Sequence, residues 1–159
     1  MPSRSHEDHS SHDSKEKAKH GTIEIMDVRQ SNLGCAGLKP LFSVIAGCRR
    51  LKRLILSNNS IGNIGVVGLV KCLKPHPTIE DVDLCNNPIT TAGGKELLDL
   101  VKENQNIQAL ALAGTSIHRV IANCICTEIG NNTRHRKFQR YSRHLRPLPW
   151  LEALSNDQL

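Results

Sequence analysis

Hydrophobic and polar positions recur along this chain with a period of 28 residues. In residues 51–78 and again in residues 79–106, apolar residues stand at positions 1, 4, 6, 19 and 23, with Asn at 9, Ile at 11 and Gly at 15. The same spacing, with substitutions, extends back over residues 23–50 and forward over residues 107–134. A fixed period of this length indicates stacked repeats. The sequence therefore predicts four repeats that begin near residues 23, 51, 79 and 107.

Each repeat predicts one β-strand followed by one α-helix. In the second repeat, Leu54 and Leu56 alternate with outward positions, as in a strand with one buried face. Leu69, Cys72 and Leu73 then share one face of a helix. Because strand and helix alternate four times, the predicted fold class is α/β. We expect a short right-handed solenoid with a parallel sheet on its concave face and helices on its convex face.

Position 9 of the repeat predicts a polar ladder. Asn59 and Asn87 follow the strands, where the chain turns and leaves backbone groups without sheet partners. An amide side chain both donates and accepts hydrogen bonds and can satisfy these groups. Ser31 and Thr115 stand at the same position in the outer repeats and are weaker substitutes.

Position 15 of the repeat predicts close helix packing. Gly65 and Gly93 open the helical half of their repeats, where a missing side chain lets the helix approach its neighbours. In the fourth repeat this position is Ile121, and position 22 is Glu128. These departures are typical of a terminal, capping repeat.

The pattern resembles the leucine-rich repeat, and its length and helical second half are similar to the ribonuclease-inhibitor-like subclass. The resemblance covers about 110 of the 159 residues. It implies a non-catalytic adaptor, scaffold or small structural subunit in a signalling, cytoskeletal or ciliary assembly, without a cofactor. The ribonuclease-inhibiting member of the family is acidic, whereas this chain carries a net charge of +6. We therefore do not expect it to inhibit a basic ribonuclease.

Positions 3, 5 and 7 of the four strands predict three rows of side chains across the concave face. Arg53 and Asp81 are neighbours in one row and should form an ion pair. An apolar floor ringed by charge is typical of a protein-docking surface, although a tail of the same chain is an alternative occupant. The candidate partner-binding residues are Ile25, Asp27, Arg29, Arg53, Ile55, Ser57, Asp81, Asp83, Cys85, Ala109 and Ala111.

Residues 133–159 form a basic extension beyond the predicted repeat domain, residues 21–132. Arginine and lysine alternate there with aromatic residues, and residues 131–159 carry six basic and two acidic side chains. The extension could cap the solenoid or dock on a partner protein. The alternative is a nucleic-acid-associated factor, because such a composition suits phosphates and stacked bases. The candidate residues are Arg134, Arg136, Lys137, Arg140, Tyr141, Arg143, Arg146 and Trp150.

Residues 1–20 are polar, rich in Ser and His, and predicted to be disordered. Their histidines would bind a metal ion only weakly, so we predict no metal site. The chain shows no signal peptide and no apolar run long enough to cross a membrane. We therefore expect a protein that is not secreted, monomeric alone, and cytoplasmic or associated with the cytoskeleton or cilium. In that setting the six cysteines should be free thiols.

The sequence contains no motif that predicts catalysis. Ser, His and Asp are all present, but no nucleophile elbow, zincin spacing or phosphate-binding glycine loop occurs. The glycines before the third predicted helix lack the first Gly and the Ser or Thr of a P-loop, and the repeat pattern already accounts for Gly93. We therefore predict that the protein is not an enzyme.

Overall fold

The computed structural model describes residues 22–142, with side chains through residue 137. Strands and helices alternate along this part of the chain. In order they are β1 (Ile25–Asp27), α1 (Gly34–Gly47), β2 (Arg53–Ile55), α2 (Asn63–Leu73), β3 (Asp81–Asp83), α3 (Thr91–Glu103), β4 (Ala109–Ala111) and α4 (Arg119–Ser142).

The four strands form one parallel sheet in the order β1-β2-β3-β4. Every strand residue pairs with the residue 28 positions later, so that Leu54 pairs with Val82 and Val82 pairs with Leu110. The offset between paired residues in the sheet therefore equals the 28-residue period of the sequence. These observations confirm the predicted α/β solenoid.

Apolar side chains fill the space between the sheet and the helices. Leu54, Leu56 and Leu69 are completely buried, and so are the matching residues of the third repeat. Burying one such side chain contributes roughly 1.5–3 kcal/mol. Met26 and Leu110 are only half-buried, because the outer repeats have a neighbouring repeat on one side only.

Position 15 is tightly packed against the residue four positions earlier and, at Gly93, also against Asn63 of the preceding repeat. A Cβ atom built on Gly93 would lie 2.7 Å from Oδ1 of Asn63 and 2.7 Å from Cγ2 of Ile89. A Cβ atom on Gly65 would lie 2.9 Å from Cγ2 of Ile61. Real Cβ atoms do not approach other heavy atoms this closely, so the packing at these two positions requires glycine.

A ladder of asparagine side chains joins the turns that follow the strands. The amide of Asn59 donates to the carbonyls of Val28 and Leu56, at 2.7 and 3.1 Å. Its Oδ1 accepts hydrogen bonds from the backbone N–H groups of Ser31 and Leu33, at 2.9 and 3.3 Å. Asn59 is completely buried, so it satisfies buried backbone groups of two repeats at once.

Asn87 repeats this arrangement one repeat later. Its amide donates to the carbonyls of Leu56 and Leu84, both at 3.0 Å. Its Oδ1 accepts from the N–H groups of Asn59 and Ile61, at 3.2 and 2.9 Å. Thr115, the substitute in the fourth repeat, donates only to the carbonyl of Leu112 in its own repeat, at 2.7 Å. Its shorter side chain therefore makes none of the bonds to the preceding repeat that Asn59 and Asn87 make.

A second ladder, which the sequence analysis did not predict, lies at position 26, after each helix. His76, Asn104 and Asn132 stand 28 residues apart and are buried. Their side chains bond the carbonyls of Ile45, Leu73 and Val101, at 3.2, 2.7 and 2.8 Å. Each partner carbonyl lies at position 23 of the preceding repeat. The two ladders thus join the second and third repeats at both ends to the repeat before them, whereas only the second ladder joins the fourth repeat to the third.

Helix α4 runs through residue 132, where the sequence analysis placed the boundary of the repeat domain. At this point Asn132 also donates to the carbonyl of Ile107, at 3.3 Å. One turn later Nη1 of Arg136 lies 3.0 Å from Oε1 of Glu80. The helix of the fourth repeat and the start of the basic extension are therefore one continuous element that bonds residues just before β4 and β3. Within residues 22–142, no helix is long and apolar enough to cross a membrane.

Candidate protein-interaction surface

The concave face presents the predicted rows of side chains in register. Ile25, Arg53, Asp81 and Ala109 pair across the sheet as one row, and the residues two positions later form the next row. Ile25 has 59% of its surface exposed. The sheet thus holds an apolar side chain in solvent on a rigid backbone.

Two ion pairs lie on this face. Nε of Arg53 lies 2.8 Å from Oδ2 of Asp81, as the sequence predicts. Both side chains are partly exposed, so this pair contributes only about 0–1 kcal/mol to stability. A second pair joins Nη2 of Arg29 to Oδ2 of Asp27 at 2.6 Å. The two arginines of the concave face are therefore already bound to carboxylates.

Asp83 differs from the other concave carboxylates because it forms none of the ion pairs present in the described residues. Partial burial acts to raise its pKa, but hydrogen bonds from Cys85 and Ser57, together with the charge of Arg29, lower the pKa overall. The backbone N–H of Cys85 donates to Oδ1 at 2.9 Å. Asp83 is thus a carboxylate held in its ionised form at the centre of the face.

Ser57 and Cys85 lie deeper in the face than the sequence analysis predicted. Only 6% of the Ser57 surface is exposed, whereas position 7 was expected to face solvent. The side chain of Ser57 hydrogen-bonds the neighbouring Asp83 and lowers the pKa of that carboxyl. Cys85 is half-buried, and burial, with the hydrogen bond to Asp83, raises the pKa of its thiol. These two residues position Asp83 and present little surface of their own.

The fourth repeat ends the face in exposed alanines. Ala109 and Ala111 lie in β4, and Ala113 follows them. Ala109 pairs with Asp81, and Ala111 pairs with Asp83. A shallow apolar floor therefore lies directly beside the ionised Asp83, and Ile55 lies on its other side.

The basic residues before β2 are largely paired with acids. Nη2 of Arg50 lies 2.8 Å from Oε1 of Glu24, and Nζ of Lys52 lies 3.2 Å from Oε2 of the same carboxylate. These contacts lower the pKa of Glu24, mainly through the hydrogen bond from Lys52. Most of this basic cluster therefore binds its own chain.

The candidate residues of the basic extension fall into three groups. Arg134 and Lys137 are exposed on α4, whereas Arg136 is half-buried beside Glu80. Arg140 and Tyr141 belong to α4, but their side chains lie outside the described residues. Arg143, Arg146 and Trp150 lie outside the described residues altogether, and so do the histidines of residues 1–20.

The six cysteines are free thiols, as predicted. Cys48 is buried, whereas Cys124 and Cys126 are exposed on α4. Burial raises the pKa of the Cys48 and Cys72 thiols. In the described part of the chain, no three His, Cys, Asp or Glu side chains come together to hold a metal ion.

Strand-turn-helix coils, a parallel sheet and an asparagine ladder define the class of a β-α repeat solenoid. No family model matches the chain. It is 30% identical over 105 residues to the ribonuclease inhibitor of Mus musculus, covering 65% of this chain and 23% of the inhibitor. It is 24% identical over 108 residues to the Sus scrofa ribonuclease inhibitor, covering 67% of this chain and 24% of the inhibitor. The chain therefore spans about a quarter of the length of these relatives.

Two solved structures have a similar fold. The tropomodulin C-terminal domain of Caenorhabditis elegans matches with a TM-score of 0.55 and 8% identity, over 81% of this chain and 95% of that one. The leiomodin-1 Actin-Binding Site 2 matches with a TM-score of 0.54 and 16% identity, over 83% of this chain and 95% of that one. The chain therefore has the fold of a short leucine-rich repeat solenoid, and its sequence is similar to the ribonuclease inhibitors.

Proposed function

We propose that this chain is a non-catalytic protein-interaction module that binds a partner protein through its concave face. One observation carries the proposal: the ionised Asp83 lies between Ile55 and the exposed alanine floor on a rigid sheet. A partner can bury its apolar side chains against such a surface, and the fixed charge beside it orients the partner. The ribonuclease inhibitors and the tropomodulin domain share the repeat architecture and support a binding role over a catalytic one.

The chemistry of the face defines the partner segment that fits it. Arg29 and Arg53 are bound to carboxylates of this chain, so the free charge of the face is the negative Asp83. A lysine or arginine of the partner would pair with Asp83. A bulky apolar side chain beside that cation would cover Ala109 and Ala111, which leave space above the sheet. The segment that fits best is therefore basic and apolar.

We further propose that the partner belongs to a cytoskeletal assembly, with a ciliary assembly as a special case. The support is the leiomodin-1 fragment, an actin-binding site with the same fold over 83% of this chain. The module would then act where that assembly is located, as an adaptor or small structural subunit.

Quantitative affinity purification with matched variants tests the main proposal. Ile55→Arg and Asp83→Arg alter the concave face, whereas Ile64→Arg alters a convex residue that is 79% exposed. We expect partners bound by the wild type to be lost from the two concave variants and kept by Ile64→Arg. Equal retention by all three variants would contradict the concave face as the binding surface.

Co-sedimentation with filamentous actin and binding of monomeric actin test the cytoskeletal proposal separately. Binding that Asp83→Arg removes would support it. If actin does not bind while other partners still depend on Asp83, only the cytoskeletal proposal fails.

The exposed Arg134 and Lys137 favour a nucleic-acid role as a second candidate. Phosphate contacts make affinity fall steeply with salt, so elution from immobilised RNA or DNA across a salt gradient separates the two functions. Arg136 argues against a large contribution, because its guanidinium is bound to Glu80. An Arg134→Ala, Lys137→Ala variant that elutes at the wild-type salt concentration would rule this candidate out.

A further inference from the structure

One rim of the solenoid carries no acidic residue. It consists of positions 8–17 of each repeat, from the turn after the strand into the first turns of the helix, which are residues 30–39, 58–67, 86–95 and 114–123. All nine acidic residues of the four repeats lie at other positions. Three basic residues lie on this rim, namely Lys39, Lys95 and Arg119. The rim therefore has a net positive charge that no acid of its own offsets.

The basic residues of the rim are available to an external partner. Lys39, Lys95 and Arg119 are exposed, and none of them belongs to an ion pair among the described residues. Six other basic residues are paired with acids of the chain: Arg29, Arg50, Lys52, Arg53, Lys74 and Arg136. The free cations of the rim thus contrast with the paired cations of the concave face and of the strand starts.

Neutral hydrogen bonds hold the helix starts side by side along this rim. Nδ2 of Asn63 donates to Oγ1 of Thr90 at 2.8 Å, and so joins α2 to the residue before α3. The backbone N–H of His118 donates to Oγ1 of Thr91 at 3.1 Å, and so joins the start of α4 to α3. The rim is therefore a fixed surface whose own polar contacts use none of its cations.

Position 14 adds a row of exposed apolar residues to the same rim. Ile64 and Val120 have 79% and 59% of their surfaces exposed, and the other two members of the row, Ala36 and Ala92, are also exposed. In the part of the chain that the structure describes, Ile25 of the concave face is the third large apolar residue with such exposure. Two of these three residues therefore share one position of the repeat, beside unpaired cations.

The spacing of this row favours a lipid surface over a protein partner. Neighbouring helices pack roughly 8–10 Å apart, so Ile64 and Val120, two repeats apart, are separated by roughly 20 Å, with only Ala92 between them. A protein interface buries its apolar residues in one contiguous centre. A bilayer accepts separate apolar side chains at the boundary between headgroups and acyl chains, while Lys and Arg beside them contact lipid phosphates.

We propose that this acid-free rim is a peripheral binding surface for membranes that contain anionic phospholipids. Ile64 and Val120 enter the interfacial layer of the bilayer, and Lys39, Lys95 and Arg119 bind the phosphate groups around them. The concave face lies on a different side of the solenoid, so it stays accessible while the rim is bound. The inference therefore does not depend on the proposed concave interface.

Co-sedimentation of the full chain with vesicles tests the charge of the rim. We expect binding to mixed phosphatidylcholine–phosphatidylserine vesicles, weakening as salt rises, and little binding to pure phosphatidylcholine. Each basic residue near an anionic surface strengthens binding roughly five-fold. The variant Lys39→Gln, Lys95→Gln, Arg119→Gln should therefore lower the partition coefficient roughly 100-fold.

A matched variant removes the same charge at exposed positions away from the rim: Arg49→Gln, Lys71→Gln, Lys137→Gln. We expect it to lower the partition coefficient far less than the rim variant does. Equal losses in the two variants would assign vesicle binding to overall charge and overturn the proposal.

The apolar row is tested by Ile64→Ser, which should lower the partition coefficient several-fold. Ile25→Ser changes an exposed isoleucine of the concave face and should leave it unchanged. Fluorescence then measures insertion directly. Trp150 is the single tryptophan of the chain, so Ile64→Trp combined with Trp150→Phe places one fluorophore on the rim. Brominated phospholipids should quench it strongly, whereas Ile25→Trp with Trp150→Phe should be quenched weakly.

Two further results would contradict membrane binding by the rim. The first is vesicle binding that Ile64→Ser leaves unchanged, together with a tryptophan at position 64 that brominated lipid does not quench. The second is binding to soluble polyglutamate that the rim variant loses while it still binds vesicles like the wild type. That result would assign the rim to an acidic protein instead.

Discussion

The backbone N–H of Asn59 donates a 3.2 Å hydrogen bond to Oδ1 of Asn87, the residue at the same position one repeat later. The amide of Asn87 in turn donates to the carbonyl of Leu56, which lies in the repeat of Asn59. Neither asparagine is accessible to water. The turns of adjacent repeats are therefore joined by side chains in a place where solvent cannot replace them.

Replacing Asn87 by Ala should lower the free energy of unfolding by about 1–3 kcal/mol, because buried backbone groups, among them the N–H groups of Asn59 and Ile61, would lose a hydrogen-bond partner. Chemical denaturation measures the loss. Gln105→Ala, a change at an exposed residue after α3, should stay within about 0.5 kcal/mol of the wild type. An equal, small effect of both changes would contradict the structural role of the ladder.

The second ladder predicts a similar loss for Asn104→Ala. The Asn104 amide donates to the carbonyls of Leu73 and His76, at 2.7 and 3.0 Å. Both carbonyls lie in the preceding repeat, so we expect a cost of about 1–3 kcal/mol. Amide hydrogen exchange should also show faster opening at the end of α2, which contains Leu73. Unchanged exchange there would show that the ladder does not hold this helix end.

His76 predicts that stability depends on pH. Burial lowers its pKa, while the pKa in the unfolded chain is about 6.5. The unfolded state therefore binds more protons in the interval below about pH 6.5, and the stability falls as the pH drops through that interval. Nε2 bonds the Ile45 carbonyl, and Nδ1 accepts from the N–H of Thr78, so a second ring proton would face a donor.

Denaturation at a series of pH values tests this prediction. His76→Asn places there the residue that the next two repeats use, and it should remove the loss of stability near pH 6. His118→Asn changes an exposed histidine at the start of α4 and should leave the loss in place. The opposite pattern would assign the pH dependence to another group.

Replacement by alanine should have opposite effects on stability at two of the glycines. Gly93→Ala should destabilise the protein by roughly 1–3 kcal/mol, because the new methyl group would overlap Asn63 and Ile89. Gly130→Ala, within α4, should stabilise it by up to about 1 kcal/mol, since no atom lies within 4 Å of the added Cβ and alanine favours the helix. Melting temperatures of the two variants, measured together, would show the difference in sign.

The strands and the core were predictable because apolar residues recur at one fixed spacing. Leu54 and Leu56 alternate with outward residues, and the 28-residue period fixes their partners in the neighbouring strands. The Arg53–Asp81 pair follows from the same register. No individual packing energy was needed, since repetition alone determines which residues meet.

The second ladder was missed because its position carries three residue types. Cys48, His76, Asn104 and Asn132 are 28 residues apart but differ in side-chain chemistry. The period was traced through positions whose residues are alike in the second and third repeats. Applying it to buried polar residues would have revealed the ladder. The burial of Ser57 and the pairing of Arg29 with Asp27 depend on individual side-chain conformations. A pattern of residue types does not specify these conformations.

Every cross-repeat partner of the two ladders lies earlier in the chain than the side chain that bonds it. The groups of the preceding repeat that these side chains bond are synthesised before the side chains themselves. This holds for Asn59, Asn87, His76, Asn104 and Asn132. Synthesis proceeds from the N-terminus. Each repeat can therefore form its hydrogen bonds to the preceding repeat before the later repeats are synthesised. The order of translation and the order of assembly can therefore coincide.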